Sequence, residues 1–219
     1  CGGAKCDLES AGQLSRNAGD PVVEITVLRR LGILSQRTKD FGASIDYLTA
    51  GLQQVRGLRM PRLELQICND IAEAYRLQGA HEEAEAFYAR SSALASRAGH
   101  MVEKQMVTIN RLLMRLATED FAAVAGELHG MREWVTRYGG HVYLLMWRAM
   151  ALLCAAAGTQ MGDPDLYLDA LEAQLSEQGL VEYDIADLSV RAVPYLRRSG
   201  RSDLAERCLQ LAAHQFELQ

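Results

Sequence analysis

The chain has 219 residues, of which 49% are hydrophobic and 23% charged, and its formal net charge is −5 at pH 7. This balance excludes an intrinsically disordered chain, and the acidic charge argues against general affinity for nucleic acid or anionic lipid. The longest apolar stretch, 149–157, is much shorter than the roughly 20 residues of a membrane span. Only four prolines and few β-branched runs favour an all-helical chain.

Glycines recur with a period of 40 residues, since Gly99, Gly139 and Gly179 follow one another at this spacing and Gly19 lies 80 residues before Gly99. Arg59 occupies the position where the period expects a further glycine. Glycine ends many helices because it readily adopts the left-handed conformation. Apolar residues between these stops have helical spacing, which predicts a leading helix and five helix pairs. In chain order, the predicted helices span 4–17, 21–37, 41–56, 61–78, 81–97, 101–117, 120–137, 141–157, 164–178, 181–198 and 202–216.

The second helix pair carries small residues, aromatic residues and a glycine at characteristic offsets. They are Ile71, Ala72, Tyr75, Gly79, Ala84, Tyr88 and Ser91. This pattern resembles the tetratricopeptide repeat, in a longer form similar to that of bacterial signalling and regulatory proteins. The resemblance implies an all-α, right-handed α-solenoid of antiparallel helix pairs, whose first helices line the concave side. It also implies a single array with 1–19 as the second helix of a partial repeat, followed by repeats at 20–58, 59–99, 100–139, 140–179 and 180–219.

Three expectations concern packing. Tyr75 should be a packed aromatic, Trp147 should lie in the core, and Pro194 should kink or shorten the helix that contains it. The last helix should expose some of its apolar side chains, which predicts self-association or a further repeat at this end. These side chains are Leu211, Phe216 and Leu218.

Five cysteines are scattered along the chain: Cys1, Cys6, Cys68, Cys154 and Cys208. Their odd number and apolar surroundings favour reduced thiols in a cytoplasmic protein over a disulfide framework. The alternative for Cys1 is the lipid-bearing start of a mature bacterial lipoprotein. Because the first residues resemble the end of a repeat, we expect the chain to be a fragment of a longer protein.

The sequence lacks the common signatures of catalysis, namely a G-x-x-x-x-G-K-[ST] loop, a G-x-S-x-G elbow and an H-E-x-x-H helix. Its histidines lie too far from one another and from the cysteines for ordinary metal-ligand spacing. Short basic clusters such as Arg29-Arg30 and Arg197-Arg198 do not form a continuous basic stripe. We therefore expect a protein that is not an enzyme, holds no metal or cofactor, and binds neither nucleic acid nor membrane.

Polar side chains recur on the helices that should line the concave groove. Arg29 and Asn69 hold equivalent repeat positions, while Asn110 and Arg148 each fall one residue out of register. An asparagine can bond a peptide backbone through its carbonyl and its amide, and the arginine fork suits carboxylates. Tyr143 is a candidate for an exposed aromatic anchor. The predicted partner-binding residues are Arg29, Gln36, Asn69, Glu73, Arg76, Asn110, Tyr143 and Arg148.

Two functions remain open from the sequence. The first is a non-catalytic module that holds a protein or peptide segment in its concave groove. The alternative is a ligand-sensing regulatory domain of a multidomain bacterial transcription regulator or signalling kinase, in which a small-molecule effector could bind. An enzyme with unrecognised residues ranks behind both.

Overall fold

The computed structural model describes residues 19–178 and 183–217, together with Gly3 and Ser10. Within these ranges every regular element is an α-helix, and the connections that the structure describes between consecutive helices are short. None of the described helices is both long and apolar enough to cross a bilayer. The predicted helix at 4–17 lies outside the described residues except for Ser10. The helices are α1 Pro21–Arg37, α2 Phe41–Val55, α3 Pro61–Gln78, α4 His81–Ala98, α5 Met101–Leu116, α6 Phe121–Tyr138, α7 Gly140–Ala156, α8 Pro164–Gln178, α9 Tyr183–Arg198 and α10 Ser202–Glu217.

The ends of α1–α10 lie within two residues of the predicted ends, because local signals start and stop the helices. Pro21 begins α1, and the Asp20 carboxylate caps it by accepting two first-turn backbone N–H groups at 3.0 and 3.2 Å. Gly79 and Gly99 end α3 and α4 with left-handed φ angles of 85° and 73°. Arg59, which takes the place of the expected glycine, also has a left-handed φ of 51°.

The chain divides into two compact units, Cys1–Met114 and Arg115–Gln219. In the first unit α1 packs against α2, α2 against α3 and α3 against α4, and α1 also contacts α3. These are the contacts of stacked antiparallel helix pairs, as in an α-solenoid. The core of this unit contains Ile25, Leu48, Leu52, Val55, Ile67, Cys68 and Ile71, and a second cluster of Ala72, Ala84, Tyr88, Val107 and Met114 extends it to α5.

A small residue lets α1 and α2 pack closely. A Cβ atom built on Gly32 of α1 would lie 2.5 Å from Cγ of Leu48, which is fully buried on α2. Real Cβ atoms do not approach another carbon so closely, so a side chain at this position would push the two helices apart. The pairing of α1 with α2 therefore depends on the absence of a side chain at residue 32.

In the second unit α7 is the central helix, and it packs against α6, α8 and α9. The α9–α10 pair completes the unit, with a smaller contact between α8 and α10. The prediction that Trp147 lies in the core is confirmed, since its side chain is 5% exposed and its Nε1–H donates to the Leu128 carbonyl at 2.9 Å.

Helix α9 also contacts the segment that leads into α6. Arg191 donates a hydrogen bond to the Leu116 carbonyl, and the Tyr195 hydroxyl donates to the Glu119 carboxylate at 3.0 Å. The Tyr195 ring meets Phe121 edge to face, with 5.2 Å between ring centroids. These contacts join residues about 75 positions apart and skip the α7–α8 pair. Pro194 lies next to this contact and does not end α9, which continues to Arg198.

Two tyrosines at the core of the first unit are buried to different degrees. Tyr75, the predicted packed aromatic, packs against both core clusters and stacks on Phe87 with 5.8 Å between centroids, but it is only half-buried. Tyr88 is instead fully buried, and its hydroxyl donates to the Glu73 carboxylate. Burial beside this carboxylate raises the pKa of Tyr88, so the side chain stays neutral at all ordinary pH values.

We expect Tyr88→Ala to lower the free energy of unfolding by ~3–5 kcal/mol, because it opens a cavity in the core. Tyr75→Ala removes a half-buried ring and should cost clearly less. Chemical denaturation followed by circular dichroism compares the two variants directly. Equal losses would show that the burial assigned to the two rings is wrong.

Three cysteines, Cys68, Cys154 and Cys208, are free thiols and fully buried. Burial disfavours the thiolate and raises the pKa of Cys68 to about 11 and that of Cys154 and Cys208 to about 12. Because the neutral thiols are favoured in the fold, their contribution to stability is lost as the pH rises through these values.

In a Cys1→Ser/Cys6→Ser variant, we expect a thiol reagent at about pH 8 to modify the three remaining cysteines only as fast as the protein unfolds. Raising the reagent concentration should then leave the rate unchanged. The measurement is the time course of modification in native buffer, with the denatured protein as the control. Rapid modification of the native protein would contradict the burial of these thiols.

Candidate binding surfaces

The eight predicted partner-binding residues lie on the first helices of successive pairs, and all are half-buried. Six belong to the first unit and two to the second. On α1, α3 and α5 they are Arg29, Gln36, Asn69, Glu73, Arg76 and Asn110, and on α7 they are Tyr143 and Arg148.

Two side chains of α1 donate hydrogen bonds to Asp70 and Gln66 of α3. Arg29 Nε donates to Asp70 Oδ2 at 2.5 Å, and Arg29 Nη1 donates to Gln66 Oε1 at 3.1 Å. Gln36 Nε2 donates to the Asp70 backbone carbonyl at 2.7 Å. The side chains predicted to contact a partner therefore already connect two helices of the protein.

An amide pair continues this contact from α3 to α5. Asn110 Nδ2 donates to Asn69 Oδ1 at 3.1 Å. We call the six side chains that link α1, α3 and α5 the polar ladder: Arg29, Gln36, Gln66, Asn69, Asp70 and Asn110. Among the described residues, no group accepts the second N–H of Asn110 or donates to its Oδ1. The α5 end of the polar ladder thus retains hydrogen-bonding capacity.

Asp70 is the acidic centre of the polar ladder. Burial raises the pKa of its carboxyl above the ordinary range, while the Arg29 guanidinium and the hydrogen bonds from Arg29 and Asn69 oppose the rise. Among the groups around Asp70, Arg29 therefore favours its charged form most strongly.

Glu73 and Arg76 form an ion pair on α3. Arg76 Nε and Nη2 donate to Glu73 Oε2 at 3.1 and 2.9 Å, and the other oxygen of Glu73 accepts the Tyr88 hydroxyl. This arrangement ties α3 to α4. Both predicted residues therefore have a structural role in the first unit.

In the second unit, Arg148 lies between α7 and α8. Its Nη1 donates to the Ala170 carbonyl at 3.1 Å and to Gln174 Oε1, while Gln174 Nε2 donates to the His141 carbonyl at 3.2 Å. Arg148 lines a surface depression of about 350 Å³. The described residues that line it are His141, Leu144, Arg148, Ala170, Ala173, Gln174 and Glu177, so Tyr143 lies on the same helix but outside the depression.

The predicted exposure of the last helix is found for one of its three residues. Phe216 is 46% exposed and meets Tyr183 edge to face at 6.0 Å between centroids, whereas Leu211 is buried. Leu218 lies outside the described residues. Self-association through this helix stays a prediction.

Sequence reasoning missed Gln66, Asp70 and Gln174, although a signal for the first unit was present. Arg29 and Asp70 are 41 residues apart, as are Asn69 and Asn110. Arg62 and Glu103, which pair at 2.6 Å, have the same separation. Complementary polar residues at this separation identify contacts between the first helices of adjacent pairs, and these contacts lie one residue off the 40-residue period of the glycines.

A double-mutant cycle on Arg29→Ala and Asp70→Ala should give a coupling of ~1–3 kcal/mol, since each single change leaves a half-buried polar partner unsatisfied. In Arg29→Ala, the loss at neutral pH should shrink at about pH 4, where the raised pKa of Asp70 lets the fold take up a proton. Urea unfolding at the two pH values measures both effects.

The control cycle uses Glu133 and Arg137, an ion pair at 3.4 Å whose side chains are 81% and 64% exposed. It should show little coupling because solvent screens the two charges. Equal coupling in the two pairs would contradict a structural role for the polar ladder.

Comparisons with known proteins bear on the fold. No model of a protein family matches the chain, and no curated protein matches it either. Among the residues that the structure describes, no group of three or more histidine, cysteine, aspartate or glutamate side chains could hold a metal ion. The chain is similar to the crystal structure of BtubC (BKLC) from P. vanneervenii, with a TM-score of 0.73 and 16% sequence identity over 97% of this chain and 89% of that chain, a likeness in fold alone.

Proposed function

We propose that the protein is a non-catalytic module that binds an extended peptide segment of a partner protein along the polar ladder of α1, α3 and α5. The observation that carries the proposal is the Asn110 amide, which Asn69 holds in place and which keeps a donor and an acceptor unused by the described residues. The proposal also includes that the protein is a tetratricopeptide array of the bacterial kind and that it is cytoplasmic.

The chemistry of an extended peptide fits this surface. Each peptide unit offers one N–H and one carbonyl, and one asparagine amide can pair with both. The Asn110 side chain sits on a helix and is already oriented, so a ligand would lose little entropy in ordering it. Half-burial also shields the resulting hydrogen bonds from water, which strengthens them.

The other members of the polar ladder have different roles in this proposal. Arg29 and Asp70 neutralise each other and hold the helices in register, so they act as positioning residues. An Arg29→Glu substitution would place two carboxylates together and weaken the fold, which makes it a poor test of binding. Asn110 provides a milder test because the one side-chain hydrogen bond that it makes to the described residues joins two neutral amides.

The alternative function is a ligand-sensing regulatory domain. The depression around Arg148 favours it, since its volume of about 350 Å³ matches a small molecule better than a protein segment. The two functions differ in their ligand and in the unit that binds it. A peptide segment would bind the first unit, and a small molecule would bind the second.

A display library of random peptides, selected against the whole chain, tests peptide binding. We expect enriched peptides whose affinity falls at least tenfold, or ~1.4 kcal/mol, in Asn110→Ala. Circular dichroism and the melting temperature should remain close to those of the native chain.

The matched control is Gln53→Ala, which removes an exposed amide from α2, a second helix of the same unit. It should leave peptide affinity unchanged. Failure to enrich any peptide, or equal losses in Gln53→Ala and Asn110→Ala, would contradict binding at the polar ladder.

A further inference from the structure

The half-buried arginines among the described residues pair with carboxylates, with one exception. Nine arginines are half-buried among the described residues, and eight of them have a carboxylate within 4.0 Å. The eight are Arg29, Arg76, Arg90, Arg111, Arg115, Arg191, Arg201 and Arg207. Arg148 is the exception, since no carboxylate of the described residues pairs with it. Burial lowers the pKa of its guanidinium, and no charge among the described residues offsets this.

The guanidinium of Arg148 is fixed at one end and open at the other. Nη1 donates both of the hydrogen bonds that Arg148 makes to described residues, one to the Ala170 carbonyl and one to Gln174 Oε1. Within the part of the chain that the structure describes, Nε and Nη2 have no acceptor. These two groups form the edge of arginine that donates two parallel hydrogen bonds to a carboxylate. Because Gln174 is itself held by the His141 carbonyl, the fork is preorganised.

The surroundings of the guanidinium favour a ligand that also has an apolar group. Leu144, Ala170 and Ala173 line the same depression and provide an apolar surface beside the charge. Glu177 also lines it but is exposed and forms no ion pair with Arg148. A volume of about 350 Å³ accommodates an anionic group together with a short apolar chain.

We propose that the depression between α7 and α8 binds a carboxylate that carries an adjoining apolar group, with Arg148 as the bidentate partner. Such a group occurs at the C-terminus of a peptide whose last residue is apolar and in a small aliphatic carboxylic acid. The site lies in the second unit and does not involve the polar ladder, so it stands or falls independently of the proposed function.

The test titrates the whole chain with N-acetyl-leucine, N-acetyl-leucinamide and hexanoate. The readout is the Nε–Hε resonance of Arg148 in nitrogen-15 spectra, identified by its loss in Arg148→Lys. We expect a saturable shift with at least one of the two acids and at least tenfold weaker binding of the amide. Affinity should fall with added salt, because a charge pair forms at a partly exposed site.

Arg148→Gln should weaken acid binding at least tenfold while the melting temperature shows that the chain remains folded. The matched control is Arg197→Gln, which removes the same charge from an exposed position on α9. Tighter binding of N-acetyl-leucine would indicate a peptide C-terminus, and tighter binding of hexanoate a small acid, and both results support the site.

Three results would overturn the proposal: equal binding of acid and amide, unchanged binding in Arg148→Gln, or no saturable shift with either acid. If selected peptides lose affinity in Asn110→Ala while these acids fail to bind, the proposed function survives and the carboxylate site does not. If the acids bind and no peptide is selected, the reverse holds.

Discussion

A pair of antiparallel helices has more apolar surface than its two members can cover, and the packing of each unit follows from this constraint. Helix α3 buries Leu65, Ile67, Cys68, Ile71, Ala72 and Ala74, which face several sides of the helix and pack against α2 and α4. Polar residues of α3 lie at the edges of this apolar surface: Asp70 pairs with α1, and Asn69 bonds α5. Glu73 accepts a hydrogen bond from α4.

Arginine makes many of the polar contacts between helices. Its long stem packs against apolar neighbours while the guanidinium reaches a carboxylate on a neighbouring helix, as Arg207 of α10 does with Asp165, Asp169 and Glu172 of α8. Pairing is therefore the ordinary condition of a half-buried arginine in this protein. Against that background, the guanidinium of Arg148, which pairs with no carboxylate in the described part of the chain, points to a ligand more directly than its position in the repeat does.

The sequence predicted the helices well because their boundaries depend on neighbouring residues, such as Asp20 with Pro21 or the left-handed Gly79 and Gly99. The candidate site was predicted less completely. Periodicity identified Arg29 and Asn69 as a polar set but could not show that Asp70 neutralises the arginine, since that contact depends on how two helices are rotated against each other. Tyr75 and Tyr88 were both plausible core residues, and only the packing of α4 on α3 shows that Tyr88 is the buried one.

The contact between α9 and residues 116–121 sets the second unit apart from an ideal repeat array. In such an array each pair contacts only its neighbours, so stability is a sum of local terms and the array can lose terminal pairs one at a time. Here Arg191 and Tyr195 reach past the α7–α8 pair, which links the beginning and the end of the unit. Opening α9 would also release the start of α6. We therefore expect the second unit to unfold as one cooperative block rather than pair by pair.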